Sequence, residues 1–348
     1  MNEKLIKVGI TQGDINGVGY ELILKTLEDA RIFEFCVPIV YGSSKILAYH
    51  RKVLDFPSVN INMIKNAHDA NVNRVNIINC GHDDAMVELS QHTQGGSEAA
   101  RHAMEKAIAD LNAGNIHVLL MAPATEDYSS LIESATGKGK QSLQVFAKDS
   151  FRIALATNKI PLSEITASLS VETLKEKIEA IHSALIHDFM VTTPRIAVLA
   201  LNPEIDGKEE KEIIAPALLA ATEAGICCFG PYSANRLFCS EEYKKFDAIL
   251  AMYYEQALIP FKTITCEDGA YYIAGLPVIV AASEQDVSYE MAGKNLTSEE
   301  SFRNALYLAI DIFRNRLHDR EIYANPLRKM YFERGSDNEK LDLTKDED

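Results

Sequence analysis

Short apolar runs alternate with amphipathic helical segments along almost the whole chain, and this alternation limits the fold more than any other feature. The runs "KLIKVGIT", "VPIVYG", "RVNIINC", "HVLLMAP", "FRIALAT", "RIAVLALN", "DAILAMYY" and "LPVIVAA" read as buried strands. Between them stand "GYELILKTLED", "SSKILAYHRKVL", "SEAARHAMEKAIADLNAG", "SVETLKEKIEAIHSALIHDF" and "EEKEIIAPALLAATEAG", all with helical spacing. Gly114 and Gly225 stand where two of these helices stop. A last helix is expected from Ser298 to about His318, with Thr297 and Glu300 placed as a capping box. Phe302, Leu306, Ala309, Ile310 and Phe313 give it one apolar face. Strands buried on both faces and alternating with helices mean an α/β fold with a largely parallel sheet. A chain of 348 residues favours two domains, or one large domain with insertions. No flexible linker divides it, so two domains would have to share a continuous sheet or exchange chain.

Charge narrows the partners. With 35 basic and 50 acidic residues the formal charge is −15, which disfavours nucleic acid and anionic membranes. Part of the acid sits in the tail "GSDNEKLDLTKDED", expected to be frayed. No apolar run approaches a transmembrane length, and "MNEKLIKVGITQGD" lacks a signal-peptide core, so a cytoplasmic location is expected. The cysteines at 36, 80, 227, 228, 239 and 266 form no CxxC pair and, several lying in or beside apolar stretches, read as buried free thiols.

Four stretches carry candidate chemistry. "TQGDINGVGYE" follows a strand and opens a helix; its three glycines permit a sharp turn behind which a helix N-terminus can hold an anion, or simply a βα turn. It is neither a GxGxxG fingerprint nor a P-loop. "LALNPEIDG" puts Asn202, Glu204 and Asp206 past a strand, where ordinary turn chemistry explains most of the pattern. "DAILAMYYEQALIPFK" ends an apolar run on Tyr253, Tyr254, Glu255 and Gln256, with Lys262 beyond. "ATNKIPLSE" places Lys159 after "FRIALAT". Strand ends of open α/β sheets are where ligands bind. None of the nine histidines sits just past a core strand.

The pieces "TQGDxxGxG", "RIALAT", "PLSEI", "ALNP", "FGPY", "LAMY", "QALIPFK", "GLPVI" and "AGK" occur in one order along nearly the whole chain. Together they resemble the 4-hydroxythreonine-4-phosphate dehydrogenase family of vitamin B6 biosynthesis. The resemblance implies a two-domain α/β fold like that of the isocitrate and isopropylmalate dehydrogenases. It also implies a homodimer whose interdomain cleft is completed by the partner subunit. That family oxidises 4-phosphooxy-L-threonine with NAD, and the β-keto acid then loses carbon dioxide. Three histidines hold a divalent cation that acts as a Lewis acid. The expected division is 1–125 plus 297–333 for the first domain, 126–296 for the second, and 334–348 for the tail.

The chemistry positions depart from the family together. The three metal-ligand histidines fall at Lys159, Glu204 and Tyr254. The lysine of the family's "PxxK" turn falls at Glu126, and its Gly-His-Thr-Glu segment has no counterpart in "ESATGKGKQSLQVF". The asparagine ahead of "GLP" is Tyr271, the arginine after it Val280, and the later Asp-His pair Glu284-Gln285. Of the phosphate-binding group only Lys262 remains.

Strand cores and glycine turns persist while these positions change, a pattern that random drift would not usually produce. Tyrosine is a poor ligand near neutral pH and a charged lysine repels a dication. The divalent metal is therefore expected to be absent, with NAD retained as an implied cofactor and catalytic residues unassigned. If the three positions still converge, Lys159 can stand in the cation's place and pair with Glu204. The readings that follow are a family member that has lost or altered the oxidation, a silent ligand-binding or regulatory partner of an active paralogue, or a dehydrogenase for a different phosphorylated hydroxy acid. A small phosphorylated metabolite bound at Lys262 without turnover stands beside them.

Overall fold

The computed structural model describes residues 5–57, 60–81, 86–136, 142–266 and 268–324. The acidic tail 334–348, His82 and the "GKGKQ" portion of the 133–146 stretch lie outside the described residues.

Twelve strands form one sheet: β1 (Ile6–Thr11), β2 (Cys36–Gly42), β3 (Ile61–Ile64), β4 (Val75–Asn79), β5 (Val118–Met121), β6 (Leu143–Lys148), β7 (Phe151–Leu155), β8 (Ile196–Leu199), β9 (Cys228–Tyr232), β10 (Ala248–Ala251), β11 (Ala270–Ala274) and β12 (Ile279–Ser283). Their order across the sheet is β3-β4-β2-β1-β5-β12-β11-β6-β7-β10-β8-β9. Every neighbouring pair is parallel except β12–β11, β11–β6 and β6–β7. Three reversals in succession leave the two parallel flanks running in opposite senses. The C-terminal ends of β5 and β12 therefore stand at one end of the central strands β11 and β6, and those of β7 and β10 at the other.

The sheet follows from the apolar runs. Ile196 to Leu199 and Ala248 to Ala251 are buried at every position, as strands covered by helices on both faces must be. The helix Gln94–Asn112 turns Ala99, Ala100, Ala103, Met104, Ala107, Ile108 and Leu111 inward. Thr93 caps it by accepting from the Gly96 N–H, and Gly114, at φ +72°, supplies the left-handed stop. The helix Val171–His187 opens with a capping box between Ser170 and Thr173.

Two helices differ from expectation at their ends. The last one runs Glu300–Ala324, past His318, and the Thr297–Glu300 capping box is not formed. Ser298 Oγ instead accepts from the Glu300 N–H at 3.3 Å, while the Thr297 N–H donates to the buried Glu21 carboxylate at 3.1 Å. Burying Glu21 requires donors, and the Thr297 backbone is one of them. The "EEKEIIAPALLAATEAG" helix begins as a π turn over Glu210–Ile214 and becomes α-helical over Ala215–Glu223. Pro216 there has no N–H to donate into the preceding turn.

Apolar packing beneath the helices divides on one face into two clusters, one around Tyr41, Leu119 and Val280, the other around Ile153, Leu199 and Phe261. Tyr271 packs against both. Among the described residues no helix is long and apolar enough to cross a membrane.

Candidate active-site cleft

A cleft of about 600 Å³ opens where these two clusters meet. Gln144 and Phe146 of β6 and Tyr271 of β11 line it from the antiparallel centre. Residues 121–129 after β5 and 282–290 around the end of β12 line one side, and Lys159 and Tyr254 line the other. Two of the three positions at which the resemblance places a metal ligand thus share one cavity. Glu204 does not line it; it is exposed in the bend after β8.

Tyr254 is the first residue of the helix Tyr254–Thr265. The polar cluster that ends the apolar run at 252 is therefore a helix start. Gln256 has a structural role: its amide accepts from the Met252 N–H at 2.8 Å and donates to the Ala200 carbonyl at 2.7 Å, joining the ends of β10 and β8. Across from Tyr254, the loop after β7 is fixed by the Thr157 hydroxyl, which donates to the Met252 carbonyl at 2.7 Å. This brings Lys159 over the Tyr254 ring, with Nζ 5.4 Å from its centroid. Among the described residues Lys159 has no carboxylate within ion-pair distance, so the pairing with Glu204 is not formed within one chain. The Tyr254 phenol is pushed above its ordinary value by burial, which outweighs the pull of the Lys262 ammonium in the other direction.

Lys262 sits two helical turns beyond Tyr254, and its Nζ lies 3.2 Å from Glu284 Oε1. The single phosphate-binding residue carried over from the resemblance is thereby engaged by a carboxylate of its own chain.

The glycine-rich turn after β1 resolves into packing. Gly13, at φ +67°, leaves no room for a side chain, because a Cβ there would stand 2.4 Å from the Pro123 carbonyl oxygen. Asp14, fully buried beside it, accepts from the Asn16 N–H at 2.9 Å and from the Tyr289 hydroxyl at 2.6 Å, with Thr125 Oγ1 at 3.3 Å. Tyr289 and Thr125 both line the cleft. Burial and this hydrogen bond push the Tyr289 phenol up to about 12, so it remains a neutral donor. Asp14, Thr125 and Tyr289 were not among the residues singled out from sequence. The "TQGD" turn marks only the first of them, and Tyr289 is 275 residues away along the chain.

A divalent cation does not fit the set at 159, 204 and 254. One position carries an ammonium, one a phenol that burial keeps protonated, and the one carboxylate faces solvent outside the cleft. Among the described residues no three His, Cys, Asp or Glu side chains stand together as a metal site.

Comparisons with known proteins agree with this architecture. Residues 34–309 match the family model described as pyridoxal phosphate biosynthetic protein PdxA. A protein of Bacteroides thetaiotaomicron named 4-hydroxythreonine-4-phosphate dehydrogenase is 45% identical, the match covering 100% of both chains. The Aquifex aeolicus protein of the same name is 29% identical over 88% of this chain and 98% of its own. Among solved structures, the 4-hydroxythreonine-4-phosphate dehydrogenase of Klebsiella pneumoniae superposes with a TM-score of 0.78 at 22% identity, covering 90% of this chain and 99% of that one. That likeness speaks to the fold alone.

Proposed function

This chain belongs to the PdxA family, and we propose that it keeps the family's cleft while having lost or altered the metal-dependent oxidation of 4-phosphooxy-L-threonine. The observation that carries this reading is the Lys159 ammonium resting on the Tyr254 ring, where two of the family's three metal ligands would stand. An ammonium there supplies positive charge to the cleft but cannot polarise a hydroxyl and its developing carbonyl as an inner-sphere cation does.

The remaining parts of the reading rest on the family. NAD is a dehydrogenase cofactor of these proteins, and its contacts on this chain are unassigned. The protein is proposed to work as a homodimer divided as 1–125 with 297–333 and 126–296, its cleft completed by the second subunit. A silent partner of an active paralogue is the form this takes if no turnover remains. The name borne by the Bacteroides thetaiotaomicron relative favours the opposite reading, an active 4-hydroxythreonine-4-phosphate dehydrogenase.

The deciding experiment measures NADH formation from NAD and 4-phosphooxy-L-threonine, with magnesium or zinc supplied and with a chelator. No chelator-sensitive NADH is expected. Turnover that a chelator abolishes would overturn the proposal in favour of the active enzyme.

A further inference from the structure

We infer that Lys159 pairs with Glu204 of the partner subunit across a face covered by a second copy of this chain, an inference that rests on the proposed homodimer. The two residues follow strands that flank β10. Both β7 and β8 pair with β10 in parallel, so the segments carrying Lys159 and Glu204 leave the same end of the sheet, from strand ends about 10 Å apart. The helix that follows β10, opening at Tyr254, starts between them. Lys159 is exposed and rests on the Tyr254 ring, and Glu204 is exposed in its bend. Among the described residues neither has an ion pair or a side-chain hydrogen bond. Two opposite charges at one end of the sheet thus go unmatched within the chain.

The carboxylates behind Glu204 are already in use. Glu209 and Glu210 accept from Asn202 Nδ2 at 3.1 and 3.0 Å, and Glu210 also accepts from the Asn202 N–H at 2.8 Å. These bonds tie the start of the bend to the π turn, so Glu204 is presented on an anchored segment. Apolar side chains stand in the same three segments: Leu162, Ile205 and Ile259 are 69%, 54% and 64% exposed. One exposed Leu or Ile is ordinary. Here one follows each of three neighbouring strands, β7, β8 and β10, in company with the two unmatched charges.

A face that carries its own complement suits a two-fold dimer, in which residue i meets residue j and j meets i. Lys159 of each copy then meets the partner's Glu204, so the ion pair forms twice per dimer and the apolar side chains around it are taken from water. A carboxylate arrives in this way beside the Lys159 ammonium at the cleft, where the chain itself places none within ion-pair distance.

The test is sedimentation velocity on the full-length protein across a dilution series. The wild type is expected to sediment as a dimer. Lys159→Glu and Glu204→Lys each set like charges against one another twice per dimer, and each should raise the dimer dissociation constant about a hundredfold or more. Both positions are exposed bends, so the substitutions leave folding intact, which thermal melting by circular dichroism verifies. Mixing the two variants is the decisive measurement. One variant is acidic at both positions and the other basic at both, so a mixed dimer regains both pairs. Its dissociation constant should return to within about tenfold of the wild-type value. A pair within one chain cannot be restored by mixing. Glu34→Lys, at the opposite flank of the sheet, should change nothing, and Asp206→Lys should not rescue Lys159→Glu. Dimers that ignore both substitutions, absence of a mixed dimer, equal weakening by Glu34→Lys, or rescue by Asp206→Lys would each overturn this inference and leave the homodimer standing. A wild type that stays monomeric throughout the series would overturn the homodimer reading itself.

Discussion

Lys262 and Glu284 form an ion pair at 3.2 Å whose two members are unequally buried, 39% exposure for the lysine against 4% for the glutamate. Removing one partner therefore does not mirror removing the other. Lys262→Met takes the ammonium away from a buried carboxylate and should cost about 2–3 kcal/mol, below the range for a fully buried pair because the lysine is partly solvated. Glu284→Gln leaves an ammonium that can turn to water and should cost about 1 kcal/mol. Urea unfolding of both variants and their combination checks this. Equal losses, or strict additivity, would show that the pair does not act as a unit.

The Gly13 turn ties the loop after β1 to the cleft wall at Pro123. Gly13→Ala adds a Cβ 2.4 Å from a backbone oxygen at a φ of +67°, so the loop must move. A loss of about 2–4 kcal/mol is expected, combining left-handed strain with a backbone clash. Gly114→Ala makes the control. It has a similar φ of +72° with nothing near the added Cβ, and it should cost only about 1 kcal/mol. Thermal unfolding of the two variants compares them, and equal shifts would remove the clash from the explanation.

Most of the sheet was legible in the sequence because parallel strands covered on both faces must be apolar in succession, as in Ile196–Leu199. The four strands that escaped, β3, β6, β9 and β11, are those for which that rule fails, β3 being a half-exposed strand at the sheet's edge. β6 and β11 form the antiparallel centre, and β11 carries Tyr271 and Tyr272, whose hydroxyls disguise a buried strand. β9, "CFGPY", stands at the sheet's edge, half exposed and interrupted by Gly230 and Pro231. Of the site, Lys159 and Tyr254 stood out as polar residues past apolar strands, the family resemblance added their place among the metal-ligand positions, and their contact joins residues far apart in sequence. Periodicity cannot report such pairings. Glu284 is the clearest case: a charged residue reads as exposed, and only the fold brings Lys262 to it.

His50 predicts a pH effect. It is fully buried, with Nε2 2.8 Å from the Ile15 carbonyl, which fixes a neutral ring donating to that oxygen. Burial lowers its pKa from 6.5 to about 4. The unfolded chain then binds a proton below about pH 6.5 that the folded chain refuses, so stability falls as pH drops from 6.5 toward 4. The contribution lost approaches about 3 kcal/mol across that window. Above pH 7 the wild type and His50→Gln should have parallel stability–pH curves; below 6.5 the variant's curve should be flatter. Parallel curves down to pH 4 would mean that His50 titrates normally.

Asp188 governs the junction between the helices Val171–His187 and Glu300–Ala324. It is the C-cap of the first, and its carboxylate accepts from Arg316 Nε at 2.6 Å, from Arg316 Nη2 at 3.0 Å and from the Tyr272 hydroxyl at 3.0 Å. Its backbone carbonyl accepts from Asn315 at 2.7 Å. Arg316 also donates to the Leu276 carbonyl at 3.2 Å, so one guanidinium joins both helices to the turn between β11 and β12. Asp188→Ala leaves that largely buried charge without its bidentate partner and should cost about 3–5 kcal/mol. Tyr272→Phe removes one neutral donor while leaving the ion pair, and should cost about 1 kcal/mol. Denaturant unfolding measures both. Because the turn at Leu276 lies between two central strands, amide hydrogen exchange in β11 and β12 should quicken in Asp188→Ala and change little in Tyr272→Phe. A smaller loss for the aspartate variant than for the tyrosine variant would show that Arg316 finds another partner, and that the junction does not depend on Asp188.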